Sequence, residues 1–232
     1  MRRLQEAEVL NLEVLERRMK ILGHNHPDTL LSMANLAVTY IYLGRFREAE
    51  VLAVAVLQQQ KSSLGENHPE TMRSMSNLAL TYEKLDRLQE AEDLGILVLE
   101  KHRSILGDDH SDTLIGMVNL ALTYNKLGRL QEAETMLVEV LKKLTDVLSH
   151  NHPATLRTQS HLGSMFNKQE RWQEAKDLLV PALEKQKDLL SPSHPHIMDT
   201  INSLVITYSK LGKLKEAEDL NEALGRLKRQ RI

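Results

Sequence analysis

The sequence predicts an all-α fold, a right-handed superhelical solenoid of antiparallel helix pairs. Three observations carry that expectation. The first is a repeat of period 42 without a single insertion, marked by His26-Pro27, His68-Pro69, His110-Ser111, His152-Pro153 and His194-Pro195. A fixed register in the range of 20–50 residues marks stacked supersecondary units. The second is composition: aromatic residues make up only 3% of the 232 residues, too few for pleated faces, while the helix formers Leu, Glu, Lys, Ala and Gln abound. The third is an apolar stripe of period 3.6 that occurs twice per unit.

Taken in order, residues 1–25 read as the second helix of an incomplete leading repeat, opened by Arg3-Leu4-Gln5-Glu6-Ala7-Glu8. Repeat 1 spans 26–67. Pro27 suits a first helical turn, where its missing N–H costs nothing, and Asp28 complements the positive end of the helix dipole. Leu30, Met33, Leu36, Ala37, Tyr40 and Leu43 form the stripe of a helix over 27–43, which Gly44 ends. Phe46, Ala49, Leu52, Val56 and Leu57 form the second stripe, and Leu64-Gly65-Glu66-Asn67 turns into the next unit. Repeat 2 (68–109) and repeat 3 (110–151) return the same columns, with Ala79 and Ala91, then Ala121 and Ala133, where two helices cross closely.

Repeat 4 (152–193) departs most. Gln159, His161, Gly163, Met165, Phe166, Gln169, Glu170 and Trp172 replace the usual residues, and Pro181 falls inside the second stripe. That proline removes one backbone hydrogen bond and is expected to kink its helix, at about 3 kcal/mol if uncompensated. Ordinary drift of the repeat accounts for these departures, with a bend that opens a site near Trp172 as the alternative. Repeat 5 (194–232) completes eleven helices in one continuous solenoid domain. The unpaired first helix leaves Leu4, Leu10 and Val14 without a partner, and neither end carries a polar capping repeat. The chain therefore reads as a fragment of a longer array or as one that self-associates through uncapped ends.

The recurring Asn-Leu-Ala-x-x-Tyr, Leu-Gly-Arg and Glu-Ala-Glu segments resemble tetratricopeptide repeats, whose ordinary form has about 34 residues. The 42-residue period and the Leu-Gly-x-x-His-Pro-x-Thr linker resemble the kinesin light chain type of that repeat. The resemblance covers essentially the whole chain and implies the solenoid fold. Its function is less defined, because fold does not imply function: similar arrays serve as cargo adaptors and as sensor arrays behind nucleotide-switch domains.

Other classes are excluded or unsupported. The formal net charge is −2, from 30 Lys+Arg against 32 Asp+Glu, which gives no general attraction to nucleic acid or acidic membranes. With no cysteine, disulfides, thiolate catalysis and cysteine–zinc sites are absent. No apolar run approaches the roughly 20 residues of a membrane span. Met1-Arg2-Arg3-Leu4-Gln5-Glu6 is no secretory signal, so the cytosol is the expected compartment. No phosphate-binding glycine motif occurs. His24-Asn25-His26 and His150-Asn151-His152 invite a zinc reading, but their second histidines belong to the helix-start column. The Glu-Ala-Glu acids lie in first helical turns, where the dipole explains them. The basic run Arg226-Leu227-Lys228-Arg229-Gln230-Arg231 reads as a helix C-terminus. No catalytic residue, cofactor or metal ligand is assigned, and the chain is expected not to be an enzyme.

What remains is a binding face. In a helix-pair solenoid the first helices line the inner surface. On helix 27–43 a stripe separate from the core comprises Leu31, Asn35, Val38 and Tyr42. Followed along the chain, its columns are Asn35, Asn77, Asn119, His161 and Ser203; Tyr42, Lys84, Lys126, Lys168 and Lys210; Leu31, Arg73, Ile115, Arg157 and Asp199; and Val38, Leu80, Leu122, Ser164 and Ile206. An Asn side chain donates to and accepts from an extended peptide backbone at once. The resemblance points the same way, since related grooves hold peptide main chain with asparagines. The expected site is Asn35, Asn77 and Asn119 for main chain, Lys84, Lys126, Lys168 and Arg73 for charge, and Leu80 and Leu122 as apolar floor. Its partner is an acidic segment with a hydrophobic anchor, resembling the acidic, tryptophan-containing cargo motifs of kinesin light chains. His161 and Ser203 break the ladder, which confines the best site to repeats 1–3.

Overall fold

A computed structural model describes residues 2–192 and 194–229. The described residues form eleven α-helices: α1 (Arg2–Leu22), α2 (Pro27–Tyr42), α3 (Phe46–Ser63), α4 (Pro69–Lys84), α5 (Leu88–Leu106), α6 (Ser111–Lys126), α7 (Leu130–Leu148), α8 (Pro153–Lys168), α9 (Trp172–Leu189), α10 (Pro195–Lys210) and α11 (Leu214–Arg229). They fall into two compact units, residues 1–123 and 124–232. In the first, α1 packs on α2, α2 on α3, α3 on α4 and α4 on α5. In the second, α7 through α11 pack each on the next. Sequential antiparallel pairing of this kind is the tetratricopeptide solenoid plan.

The recurring histidine has a structural task. His26, His68, His110, His152 and His194 each accept, through Nδ1, the backbone N–H two residues ahead, at 3.1–3.2 Å. They act as N-caps, satisfying a donor that the first helical turn leaves unpaired. Among the described residues no group of three potential ligands could hold a metal ion.

Packing follows the stripes. Ala37, Ala53, Leu57, Met75, Leu78 and Val98 form one core cluster, and Leu15, Leu36, Tyr40 and Ala49 another. On α1, Leu15 turns inward while Leu10 and Val14 stay exposed at 61% and 43%. The helix-end column Gly44, Gly128 and Gly212 adopts φ of 74–79°, and Asp86 and Glu170 take φ 61° at the same station. Repeats 2 and 4 thus hold a left-handed conformation without glycine. The last turn of α11 carries Arg226, Lys228 and Arg229, as dipole complementarity favours; Arg231 lies outside the described residues.

The Glu-Ala-Glu acids require a correction. Their positions in the first turn are as expected, but their partners are arginines. Arg87 stacks over the Tyr82 ring at 4.3 Å and bridges Glu90 of its own helix and Glu50 of the preceding repeat. Arg45 does the same with Tyr40, Glu48 and Glu8. Arg171 uses Phe166, Glu174 and Glu134, at 4.0, 2.6 and 2.7 Å. One guanidinium therefore ties two repeats through a ring face and two carboxylates. The hydrogen bonds from Arg45, Arg87, Arg129 and Arg171 hold Glu48, Glu90, Glu132 and Glu174 below the usual carboxylate range.

Repeat 4 is built rather than eroded. Gln186 donates to the Ser160 hydroxyl at 3.0 Å and accepts from Thr200 at 2.9 Å, inside the core. Asn167 donates to the Ser203 carbonyl at 2.9 Å and accepts from Thr207 at 2.8 Å. Gly163 lies against Leu179, where a Cβ would meet Cγ at 2.6 Å. The helix α9 runs through Pro181 as one element. Pro181 is solvent-exposed, which places the carbonyl that loses its donor on the solvent side of the helix, where the cost of the missing bond is lower.

Candidate functional site

In the first unit, helices α4, α5 and α6 line a solvent-open cavity of about 400 Å³. Arg73, Asn77 and Leu80 reach it from α4, and Asn119 from α6. These come from three different columns of the sequence. A helix places i, i+4 and i+7 on one face, and the 42-residue register repeats that face on the next first helix. Met72, Leu106 and Ile115 add apolar lining, Glu70 and Asp112 acidic rim, and His102 and Gly116 complete the wall.

The asparagines differ from those used in packing. Asn11 donates to Thr39 at 3.0 Å, and both ends of the Asn167 amide are bonded in the core. By contrast the main-chain carbonyls of Asn77 and Asn119 accept from Thr81 and Thr123, and their side chains bond no other described residue. Their side-chain amides are half-buried at the cavity and remain free to bond a ligand. Asn35 is exposed on α2, with its carbonyl accepting from Thr39. At the far end of the column Ser203 is buried, its carbonyl taken by Asn167.

Charge is distributed less simply than a row of lysines implies. Lys84 pairs with Glu83 at 3.2 Å, and Glu83 is a nearly buried carboxylate. The structure thus sets part of the Lys84 charge against an acid of its own helix. Arg73 pairs with Glu70 one turn earlier, as i,i+3 neighbours do. Lys126 and Lys168 are exposed and belong to the second unit, while Leu122, in the first, is half-buried. Lys210, the last of that column, sits 5.7 Å above the Trp172 ring.

Two wall residues escaped the sequence reading. His102 is 6% exposed, and its Nδ1 has no hydrogen-bond partner. Burial pushes its imidazole below the ordinary range, against the upward pull of the Asp112 carboxylate. Gly116 sits opposite, mid-helix on α6. The available signal was a polar column, Arg18, Gln60, His102 and Gln186, inside an otherwise apolar stripe.

No helix among the described residues is long and apolar enough to cross a membrane. A tetratricopeptide repeat model matches residues 1–54, 112–179 and 154–228, and a second model of the same description matches 71–112. Among solved structures, the nearly identical TPR-like repeats of a Podosopora anserina protein assigned as a kinesin light chain share 29% identity. They cover 88% of this chain and 97% of that one, with a TM-score of 0.67. A point variant of the same repeats gives 30% identity, coverage of 89% and 99%, and a TM-score of 0.69. The structure of NprR in complex with its cognate peptide NprX is similar in fold, at 22% identity and a TM-score of 0.74, with 93% of this chain and 60% of that one covered. No curated protein matches this chain.

Proposed function

The chain belongs to the tetratricopeptide repeat family, in its kinesin light chain-like form, and on that premise we propose that it is a non-catalytic protein-interaction module. It holds an extended, acidic segment of a partner protein along the face built by the first helices of its repeats. One observation carries this reading: four residues selected for peptide contact, Arg73, Asn77, Leu80 and Asn119, line a single cavity of about 400 Å³. A fold-level relative is described in complex with a peptide, which supports the same use of the architecture.

Asn77 and Asn119 grip main chain, since each amide offers two donors and an acceptor. Leu80 provides the apolar floor for an anchor side chain. In the first unit Arg73 and Lys84, and in the second Lys126 and Lys168, favour acidic residues by attraction that salt screens. Asn35 and Leu122 extend the contact to either side. The cytosol is the setting that fits a chain without cysteine.

The test is fluorescence anisotropy with an acidic, tryptophan-containing peptide and its charge-reversed twin at two salt concentrations, with wild type run beside Asn119→Ala and Lys126→Glu. The expected result is salt-sensitive binding of the acidic peptide alone, weakened by both substitutions. Binding indifferent to both substitutions would make the asparagine and lysine columns structural.

A further inference from the structure

One polar atom in the wall of this cavity, His102 Nδ1, is buried without a hydrogen-bond partner and has no part in the grip described above. Between repeats, a column near the end of the second helices, polar at Arg18, Gln60, His102 and Gln186 and apolar at Leu144, is followed fourteen residues on by a column of small residues near the start of the next first helix. Arg18 donates to the Ser32 hydroxyl at 2.8 Å. Thr200 donates to Gln186 at 2.9 Å. In both cases a Ser or Thr hydroxyl closes the junction.

At His102 the facing residue is Gly116, which has no hydroxyl to offer. An ideal Cβ on Gly116 would lie 3.8 Å from His102 Nδ1, with nothing closer than Leu99 Cδ1 at 3.7 Å. An atom the size of a carbon therefore fits there, and both residues line the cavity. Gln60 also leaves its Oε1 unpaired, but the residue fourteen positions on is Ser74, which carries a hydroxyl of its own. A buried nitrogen without a partner costs more than it returns unless something bonds it. Burial outweighs the opposing pull of Asp112 on His102 and favours the neutral ring, which has one nitrogen able to accept.

We infer that a serine or threonine side chain of the bound segment enters the space left by Gly116 and donates its hydroxyl to His102, so that His102 and Gly116 set a hydroxyl preference at one position of the ligand. The ligand completes the junction that Ser32 and Thr200 complete elsewhere. This inference rests on the peptide-groove reading and adds a side-chain specificity to it.

The experiment scans an acidic decapeptide with threonine and, at each position, its valine twin, which matches threonine in shape and lacks the hydroxyl. Binding is measured by anisotropy to the full chain, to His102→Leu and to Gly116→Ser. Leu144 already occupies the His102 column, and Ser32 and Ser74 occupy that of Gly116, so both variants use residues the repeat accepts. Gly116→Ser should melt at or above the wild-type temperature, because it fills the space and replaces a mid-helix glycine. At one position threonine should bind about tenfold tighter than valine, the worth of one buried hydrogen bond. That preference should vanish in both variants. A scan without any threonine preference, or a preference that survives Gly116→Ser, overturns this inference and leaves the groove reading standing. Binding of no peptide in the scan overturns the groove reading and this inference with it.

Discussion

Gly163→Ala adds one methyl group at the most crowded glycine among the described residues. The new Cβ would lie 2.6 Å from Leu179 Cγ and 2.8 Å from Cδ2. Carbon atoms settle at about 3.5–4.0 Å, so the completely buried Leu179 must retreat by about 1 Å. Overpacking of this kind costs about 1–3 kcal/mol. Replacing a mid-helix glycine by alanine returns about 1 kcal/mol, so the net effect is a loss of about 1 kcal/mol. Leu179→Ala alone should cost about 2–5 kcal/mol through the cavity it leaves. In that background the clash is gone and the added methyl fills part of the cavity. Gly163→Ala should then stabilise by about 1 kcal/mol. Urea unfolding followed by Trp172 fluorescence reads the contact locally, since the single tryptophan begins the helix that carries Leu179. The reversal of sign is the prediction. The same sign in both backgrounds would refute the packing argument.

Three further outcomes follow from the geometry. Asp86→Gly and Glu170→Gly, both at φ 61°, should each stabilise by about 0.5–1 kcal/mol in a thermal or urea melt, because glycine relieves left-handed strain at some cost in chain entropy. His68→Ala should lose about 1 kcal/mol by removing the N-cap of α4, whereas His68→Asn should retain most of it. Acid should also find the arginine bridges. Glu48, Glu90, Glu132 and Glu174 sit below the usual range through hydrogen bonds from arginine, so their contribution is complete above the unfolded carboxylate value of about 4.3. It is lost as pH falls through the lower folded value. Stability measured by urea titration should decline from pH 7 to about 5, because burial holds the His102 and His196 imidazoles below the unfolded value and they protonate on unfolding, and should drop further below about 4 as the bridges are lost. The drop should be shallower in Arg87→Met and Arg171→Met.

The helices were legible because their signals are local. The Pro that opens α2, the stripe through Leu30, Leu36 and Tyr40 and the stop at Gly44 all act within one turn or one stripe, and the 42-residue period fixes their order. Part of the candidate site was legible for the same reason: fixed register carries Asn77 to Asn119, and helical spacing joins Asn77 to Arg73 and Leu80. What escaped depends on partners distant in sequence. Glu50 meets Arg87 across 37 positions, so its first-turn location suggested the dipole instead. His102 becomes notable only once the pairing of Arg18 with Ser32 and of Gln186 with Thr200 defines what Gly116 lacks. Lys84 looked like a free charge because an adjacent residue on a helix does not normally share its face, yet Glu83 reaches it. In repeat 4, drift and design look alike in sequence. The bonds from Gln186 to Ser160 and from Asn167 to Ser203 separate them.

The central claim is that the Asn77 and Asn119 amides grip a partner's main chain. The direct measurement is the NMR signal of those two side-chain NH2 groups, assigned with Asn77→Asp and Asn119→Asp, during titration with the acidic peptide. The account predicts that both pairs of resonances shift together with saturation of binding and that their hydrogens become protected from exchange with solvent. Saturable binding that leaves both pairs unmoved, while resonances elsewhere in the chain shift, would contradict it.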